Sequence, residues 1–202
     1  MILEHLGRRP QIDPSSYVAT TATVCGDVAI GENTSVLFVA VITAEGGPVK
    51  IGKSCIIMEN AVIRGTRRHP IQLGDNVLVG PRAYLTGCTV ADNVFLATGS
   101  TVFNGAKLGE RVTVRINGTV HINTVLKPDE VVPIGWVAVG SPAKVFPPGE
   151  HAKIWRIQKK LNFPRTVWGL EMPSRKGETI MPEVARRYTR ALMKHKDDKV
   201  VG

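Results

Sequence analysis

Basic side chains that could bind an anion cluster in one part of the sequence. Arg64, Arg67, Arg68 and His69 lie within or beside the segment GTRRHPIQ, and Arg82 follows in GPRAYLTG. Paired guanidinium groups present donor forks that match a carboxylate or a phosphate, so the four arginines are candidates for a small-anion site. The alternative is that they pair with carboxylates of the same chain, for which the candidates are Glu45, Glu59 and Asp75.

One histidine is a candidate general base. His121 comes directly after Val120, which occupies a repeat position described below, so its side chain should point outward. General-base chemistry needs a proton donor within reach and usually a partner that orients the ring. The sequence shows neither, and a surface or interface histidine is the simpler interpretation.

The other histidines, and the cysteines, give weaker evidence for a functional site. His69 could bind a metal together with Cys88 or Glu59, although nothing else in the sequence supports such a site. The three cysteines lie about thirty residues apart without a CxxC pair, which argues against a zinc knuckle or a disulfide framework. The remaining three histidines have no matching neighbours in the sequence and are assigned no role: His5, His151 and His195.

The elements that must position these side chains follow from an aliphatic residue that recurs every sixth position. This period fits neither an amphipathic helix nor separate hairpins, and it is typical of a solenoid of short strands in which every sixth side chain points inward. Two insertions, one containing GGP and one reading GTRRHPIQ, interrupt the repeat, and one step has five residues. The repeat positions are Ile12, Val18, Val24, Ile30, Val36, Ile42, Ile51, Ile57, Ile63, Leu73, Val79, Leu85, Val90, Leu96, Val102, Leu108, Val114, Val120, Leu126 and Val132.

Turn residues follow the same period. The segments IGEN, LGDN and VADN place Gly, Asn and Asp where the chain must turn sharply. Stacked coils would bury one continuous aliphatic column. The sequence therefore predicts an all-β solenoid over residues 1–148, rather than a sandwich with coincidental spacing, followed by a helical segment and basic tail over 149–202.

Charge and hydropathy separate these two regions. The net charge of +9 lies almost entirely in residues 151–202, which carry 13 Lys and Arg against 5 Asp and Glu. No apolar run approaches the ~20 residues of a membrane span, and the N-terminus lacks the pattern of a signal peptide. We therefore expect a cytoplasmic protein.

The C-terminal region shows helical spacing twice. In HAKIWRIQKKLNF, Ile154, Trp155, Gln158 and Leu161 predict a helix that packs its aromatic face on the solenoid. The segment TVWGLEMPSRKGET is expected to be an ordered loop anchored by Trp168. A further helix should begin near Pro182, with an apolar face and a basic face; the basic face consists of Arg186, Arg187, Arg190 and Lys194.

Residues 12–145 resemble the gamma-class carbonic anhydrase-like branch of the hexapeptide-repeat superfamily. The resemblance lies in IGKSCIIMENAVIRG, in LGDNVLVGPRAYLTGCTVADNVFLATGSTVFNGAKLG and in VAVGSPAKV. It implies a left-handed parallel β-helix with C-terminal α-helices, assembled as a homotrimer. The ending VGSPAKV also closes many hexapeptide acyltransferases, so it does not separate the two branches.

The resemblance also implies a zinc site that this chain has lost. Members with hydratase activity hold zinc with three histidines, and the matching positions here are Arg64, Pro81 and Thr86. Proline has no side-chain donor, threonine is a poor zinc ligand and a guanidinium repels the metal. The supporting positions differ too, since they hold Thr43, Glu45, Ile56 and Met58. We therefore expect no zinc cofactor and no hydratase activity by the family's route.

Two functions of different classes remain. The first is a trimeric protein without zinc chemistry that binds a small anionic ligand or acts as a scaffold. The second is an acyltransferase that uses an acyl-coenzyme A donor, because acyltransferases of the superfamily place a general base where His121 lies. An enzyme with a relocated metal is a third possibility. The basic helix lacks interleaved aromatic residues, so we do not expect a nucleic-acid partner.

Overall fold

The chain forms a left-handed parallel β-helix with short C-terminal helices, as the repeat and the resemblance predicted. The structure is a computed structural model that describes residues 1–173, 175 and 177–202. Strands of two to five residues stack coil upon coil and form the three flat faces of the solenoid.

The first face is a ten-stranded sheet that carries most of the candidate site residues. Its first eight strands are mutually parallel, and a short antiparallel strand closes it at each end. The parallel strands are Ile2–Glu4, Thr23–Cys25, Val41–Glu45, Val62–Thr66, Tyr84–Thr86, Thr101–Val102, Thr119–Val120 and Val137–Val139, and the closing strands are Lys199–Val200 and Lys144–Phe146.

The other two faces are seven-stranded parallel sheets. The second face consists of Gln11–Ile12, Val28–Ile30, Val49–Ile51, Ile71–Leu73, Thr89–Val90, Lys107–Leu108 and Val125–Leu126. The third face consists of Tyr17–Val18, Ser35–Val36, Ile56–Ile57, Leu78–Val79, Phe95–Leu96, Thr113–Val114 and Val131–Val132.

The core is the aliphatic column that the period of six predicted. Ile42, Ile63, Leu85 and Val102 follow one another in the first sheet, and each is fully buried. Corner residues turn the chain between faces; Asn76 and Asn93, for example, have φ of 56° and 61°, which asparagine tolerates better than most residues. Each coil therefore packs its core residues on those of the coil before it.

The two insertions lengthen neighbouring strands and stack directly on each other. Val41–Glu45 pairs with Val62–Thr66 through to Glu45 opposite Thr66. A Cβ at Gly47 would lie 2.1 Å from the carbonyl oxygen of Thr66, so the first insertion can approach the second only as glycine. This close stacking fixes the second insertion, which carries Arg67 and Arg68, beside the first face.

The C-terminal segment contains three α-helices. They are α1 (His151–Gln158), α2 (Phe163–Trp168) and α3 (Met181–Leu192), and 3-10 turns occupy Pro148–Glu150, Lys159–Leu161 and Met193–Asp197. The predicted helix near Pro182 is confirmed by α3, whose first turn contains Pro182. No helix among the described residues combines the length and hydropathy needed to cross a bilayer.

Two predictions for this segment were wrong. Trp155 does not pack on the solenoid and is 51% exposed, because α1 buries the side of the helix that carries Ile154. The expected loop over TVWGLEMPSRKGET begins inside α2, where the side chain of Asn162 accepts a hydrogen bond from the Arg165 N–H and starts the helix. Ser174 and Lys176 of that loop lie outside the described residues.

The segment runs back along the solenoid to its first coil. α1 packs near Val137–Val139 at the last coil, whereas Lys199–Val200 pairs with Ile2–Glu4 at the first. α3 lies between these two points and faces the insertions. This C-terminal segment, from α1 to Lys199–Val200, therefore runs along the first face of the β-helix, and we call it the strap.

Candidate functional site

A cavity of about 280 Å³ lies between the strap and the two insertions. The solenoid contributes charged and polar side chains to its wall, and α2 and α3 contribute mainly apolar ones. The lining residues are Glu45, Arg64, Thr66, Arg67, Arg68, Val167, Trp168, Val184, Arg187, Tyr188, Ala191 and Leu192. We call this cavity the arginine pocket.

Arg64 is the most enclosed arginine of the pocket. Its side chain is 27% exposed, and its Nη2 lies 3.4 Å from Oε2 of Glu45. The guanidinium carbon also lies 5.9 Å from the ring centroid of Tyr188, within range of a cation–π contact. The pairing with Glu45 that sequence analysis offered as an alternative is therefore present for Arg64.

The other three arginines of the pocket are more exposed. Arg68 donates from Nη1 to the carbonyl oxygen of Arg165, 3.1 Å away, and a Cβ at Gly169 would lie 2.3 Å from its Nη2. Arg187 is bound to Glu183 through Nε, at 2.6 Å. Arg67 makes no salt bridge with any residue that the structure describes.

The pocket has an excess of positive charge. Four arginines line it, and Glu45 is the one carboxylate among the lining residues. Glu183 neutralises part of that charge through Arg187, but it also binds Arg186, and the two guanidinium groups lower its pKa to about 2. Like charges around a partly enclosed space repel one another unless an anion joins them.

Arg82 does not line this pocket within one chain. It occupies a corner with φ of 56°, and its backbone N–H donates to the carbonyl oxygen of Glu59. Asp75, another of the proposed partners, accepts a hydrogen bond from the backbone N–H of Lys53 and none from an arginine that the structure describes. Within one chain, Arg64, Arg67 and Arg68 therefore line the same pocket, and Arg82 lies outside it.

The three positions that the resemblance assigns to zinc do not form a donor set. Arg64 and Thr86 are paired across neighbouring strands of the first face, with Thr43 on the other side of Arg64. Pro81 lies away from them at a corner, where it lines a separate apolar cavity of about 700 Å³ with Met58 and Phe95. A cation at Arg64 would meet a guanidinium already held by Glu45, so these residues do not fit zinc.

The supporting positions are occupied in a different way. The hydroxyl of Thr43 lies 3.3 Å from Oε1 of Glu45 and so binds the same carboxylate as Arg64. Ile56 and Met58 belong to the third face and its corner, where Ile56 is exposed. These residues build a salt bridge and an apolar surface.

His121 is buried within the single chain, whereas the sequence favours a surface or interface position for it. It is 6% exposed because the strap covers it, with Phe103 and Phe163 beside the ring. Its Nε2 lies 2.6 Å from the amide nitrogen of Gln158, whereas Nδ1 has no hydrogen-bond partner among the described residues. Burial lowers the pKa of His121, so the ring is neutral near pH 7.

His69 closes a turn through its backbone, which exchanges hydrogen bonds with Thr66. Within the part of the chain that the structure describes, it belongs to no group of three metal-ligating side chains. By contrast, His5 and His195, to which the sequence assigns no role, lie together with Cys25 and Asp198 in the fold. That grouping was invisible in the sequence, where His5 and Asp198 are 193 positions apart.

Coils of short parallel strands around an aliphatic core define a hexapeptide-repeat protein. The chain is 32% identical over 145 residues to a carbonic anhydrase of Geobacillus kaustophilus, covering 72% of this chain and 76% of the relative. It is 32% identical over 143 residues to the mitochondrial gamma carbonic anhydrase 1 of Arabidopsis thaliana, covering 68% of this chain and 50% of the relative. The chain belongs to the gamma carbonic anhydrase-like family of hexapeptide-repeat proteins.

Two further findings complete the comparison. A candidate acetyltransferase from Bacillus cereus has a TM-score of 0.53 to this chain at 25% identity, and the match covers 76% of this chain and 88% of that one. No family model matches the chain. The chain spans about half the length of the Arabidopsis relatives that it matches.

Proposed function

We propose that this protein binds a small anion in the arginine pocket and has no zinc-hydratase chemistry at the family's metal position. The observation that carries the proposal is the wall of the pocket, where four arginines face one carboxylate across about 280 Å³. Guanidinium groups bind carboxylate and phosphate through two parallel hydrogen bonds.

The apolar half of the wall narrows the ligand class. Trp168, Val184, Tyr188 and Leu192 supply aromatic and aliphatic surface on the side of the pocket opposite the solenoid arginines. A fully hydrated inorganic ion would leave this surface uncovered, whereas an anion with an apolar body would fill it. An aliphatic or aromatic carboxylate therefore fits the pocket better than inorganic phosphate.

A thermal-shift series tests the anion site. The wild-type protein is melted with benzoate, citrate and inorganic phosphate at constant ionic strength, and we expect benzoate to raise the melting temperature most. An anion at 100 times its dissociation constant stabilises the fold by about 2.7 kcal/mol. Arg64→Gln should weaken binding by about 10- to 100-fold, as expected for one charge-assisted hydrogen bond.

Matched variants decide how the result is interpreted. Arg156→Gln removes the same charge from the exposed side of α1 and should leave the response unchanged. Arg82→Gln tests whether that residue reaches the pocket from a neighbouring subunit, as a trimeric site would require. Equal responses of wild type and Arg64→Gln would show that the arginines are structural and would remove the anion-site proposal, with a scaffold role then favoured.

The acyltransferase remains a second candidate because of the surroundings of His121. The ring lines a cavity of about 530 Å³, beside Thr119 and Gln158 at the end of the solenoid. A neutral imidazole with a free Nδ1 is in the protonation state that a general base needs. Binding of acetyl-coenzyme A to the wild-type protein, measured by calorimetry and reduced in His121→Ala, would favour this function over the first.

A further inference from the structure

A second cluster of chemically active side chains lies at the first coil, outside the arginine pocket. It joins His5 from the turn after the first strand, Cys25 from the next strand, and His195 and Asp198 from the end of the strap. Each residue offers one ligand atom, and the four atoms all lie within 4.8 Å of one another. Four atoms this close can share one ion.

The carboxylate of Asp198 is the centre of the cluster. Its Oδ1 lies 2.5 Å from Nδ1 of His5, and its Oδ2 lies 2.8 Å from Nδ1 of His195. The Sγ of Cys25 lies 3.6 Å from the same Oδ2. The two imidazole rings are stacked, with centroids 4.2 Å apart. Both Nδ1 atoms and the thiol sulfur therefore converge on the carboxylate.

Three of the four side chains are enclosed, and the side chain of His195 is 30% exposed. His5 and Cys25 are 5% and 4% exposed, and the side chain of Asp198 is 11% exposed. Burying polar groups of this kind is costly unless each has a partner. Two imidazole nitrogens, one sulfur and one carboxylate oxygen are ligands that zinc accepts, in the number that a tetrahedral structural site uses.

A further carboxylate lies behind one of these ligands. His195 presents Nδ1 to the cluster, and its other nitrogen, Nε2, lies 3.2 Å from Oε1 of Glu45. Histidines that bind zinc commonly donate their second ring N–H to a carboxylate, which fixes the tautomer and makes the ligand more basic. His195 thus has a carboxylate at each of its two ring nitrogens, which is the arrangement expected of a zinc ligand with a supporting carboxylate.

We propose that His5, Cys25, His195 and Asp198 form a zinc-binding site that fastens the end of the strap to the first coil. The site uses none of the three positions that the family uses for zinc. Four protein ligands fill a tetrahedral shell and leave no place for water, so the zinc is structural and not hydrolytic. Zinc binds the thiolate form of cysteine, so it must displace the proton of the Cys25 thiol as it binds.

Cobalt and zinc titrations of the full-length, chelator-treated protein test this site. We expect one equivalent of Co²⁺ per chain, with a thiolate-to-cobalt charge-transfer band and the strong visible absorption of a tetrahedral centre. One equivalent of Zn²⁺ should displace the cobalt and raise the melting temperature. Cys25→Ser should abolish the charge-transfer band, and Asp198→Asn should reduce the affinity for both metals.

Control variants separate metal binding from damage to the fold. Cys55→Ser changes another buried cysteine, whose thiol donates to the main-chain oxygens of Lys53 and Gly74, and should keep the cobalt band. His151→Gln removes an exposed histidine and should bind metal as wild type does. Glu45→Gln should keep the band but weaken zinc affinity by about 10- to 100-fold. Circular dichroism of each variant checks that the β-helix is present.

Two results would overturn the proposal. One is the absence of a cobalt–thiolate band in folded wild-type protein at stoichiometric metal. The other is a melting temperature that Asp198→Asn lowers equally with and without zinc, which would make the cluster a hydrogen-bonded clasp. Neither result bears on anion binding in the arginine pocket, where Arg64→Gln gives the deciding measurement.

Discussion

The carboxylate of Glu45 lies between His195, 3.2 Å from one of its oxygens, and Arg64, 3.4 Å from the other. His195 belongs to the first-coil cluster and Arg64 to the arginine pocket. One side chain on the solenoid therefore touches both candidate sites, and the strap brings His195 to it from 150 positions away in the sequence.

Glu45→Gln should strengthen anion binding in the arginine pocket. The change removes the one carboxylate of the lining and releases Arg64 from its salt bridge. We expect up to about a tenfold gain in affinity for benzoate, equivalent to about 1.4 kcal/mol, in calorimetric titrations of chelator-treated protein. Glu59→Gln, outside the pocket, is the charge-matched control; a similar gain there would mean that net charge alone is responsible.

His121 should make stability depend on pH. Burial lowers its pKa in the folded protein below the ordinary 6.5. As the pH falls through 6.5, His121 takes up a proton in the unfolded chain but stays neutral in the folded protein. The free energy of unfolding therefore decreases, by at most about 1.4 kcal/mol per pH unit. Denaturant unfolding of His121→Gln between pH 7.5 and ~5 should show a smaller decrease than wild type.

The exposed residue His151 provides the comparison for that experiment. His151→Gln should reproduce the wild-type pH dependence. Identical slopes for wild type and His121→Gln would contradict the burial of a neutral imidazole.

Hydratase activity should be absent even when the protein contains zinc. Arg64, Pro81 and Thr86 offer no donor set at the family position, so any bound zinc should belong to the first-coil cluster. The decisive measurement is zinc content and bicarbonate formation in both wild type and Cys25→Ser. Stoichiometric zinc that persists in Cys25→Ser, together with activity above background, would refute the prediction.

Substitutions at inward and outward positions of one strand should differ sharply in their effect on the free energy of unfolding. Leu73 is 2% exposed in the aliphatic column, and its neighbour Gln72 points outward from the second face. Leu73→Ala should lower the free energy of unfolding by about 2–5 kcal/mol, because it leaves a cavity in close packing. Gln72→Ala should change it by less than about 0.5 kcal/mol, as surface substitutions usually do. Comparable losses would be inconsistent with the solenoid register.

The apolar third face should join copies of the chain. Ile56, Phe95 and Val131 point outward from it and are exposed in the single chain. Since burying such surface is favourable at about 25 cal/mol per Å², we expect light scattering at micromolar concentration to give three times 21.9 kDa. Ile56→Lys with Phe95→Lys should give monomers, whereas Gln72→Lys on the second face should not. A monomeric wild type would exclude the trimer.

The fold was predictable because its signal is local and repeated. Leu85 and Val102 were assigned to the core from spacing alone, and both are fully buried. The candidate site was only partly predictable. Arg64, Arg67 and Arg68 are neighbours in sequence and stay together, but the wall that Trp168 and Tyr188 provide depends on where the strap docks, and a helical pattern does not encode that.

The positions of the histidines could not be predicted for the same reason, because they depend on where the strap docks. The sequence favours a surface or interface position for His121, because an outward position on a solenoid is normally exposed in the single chain. The docking of Gln158 and Phe163 buries it instead. His5 and Asp198 come from the two ends of the chain, so no spacing rule could join them.

The strap also sets the number of coils. It leaves the solenoid at Val137–Val139 and is fixed again at Ile2–Glu4, so it must span eight parallel strands of the first face. Eight strands are separated by seven spacings of about 4.8 Å each, so that distance is roughly 34 Å. Solenoids ordinarily gain or lose whole repeats without penalty to the rest of the stack. Here an added coil would leave Lys199–Val200 about 4.8 Å short of its partner strand. The length of the strap therefore limits the number of coils that the β-helix can have.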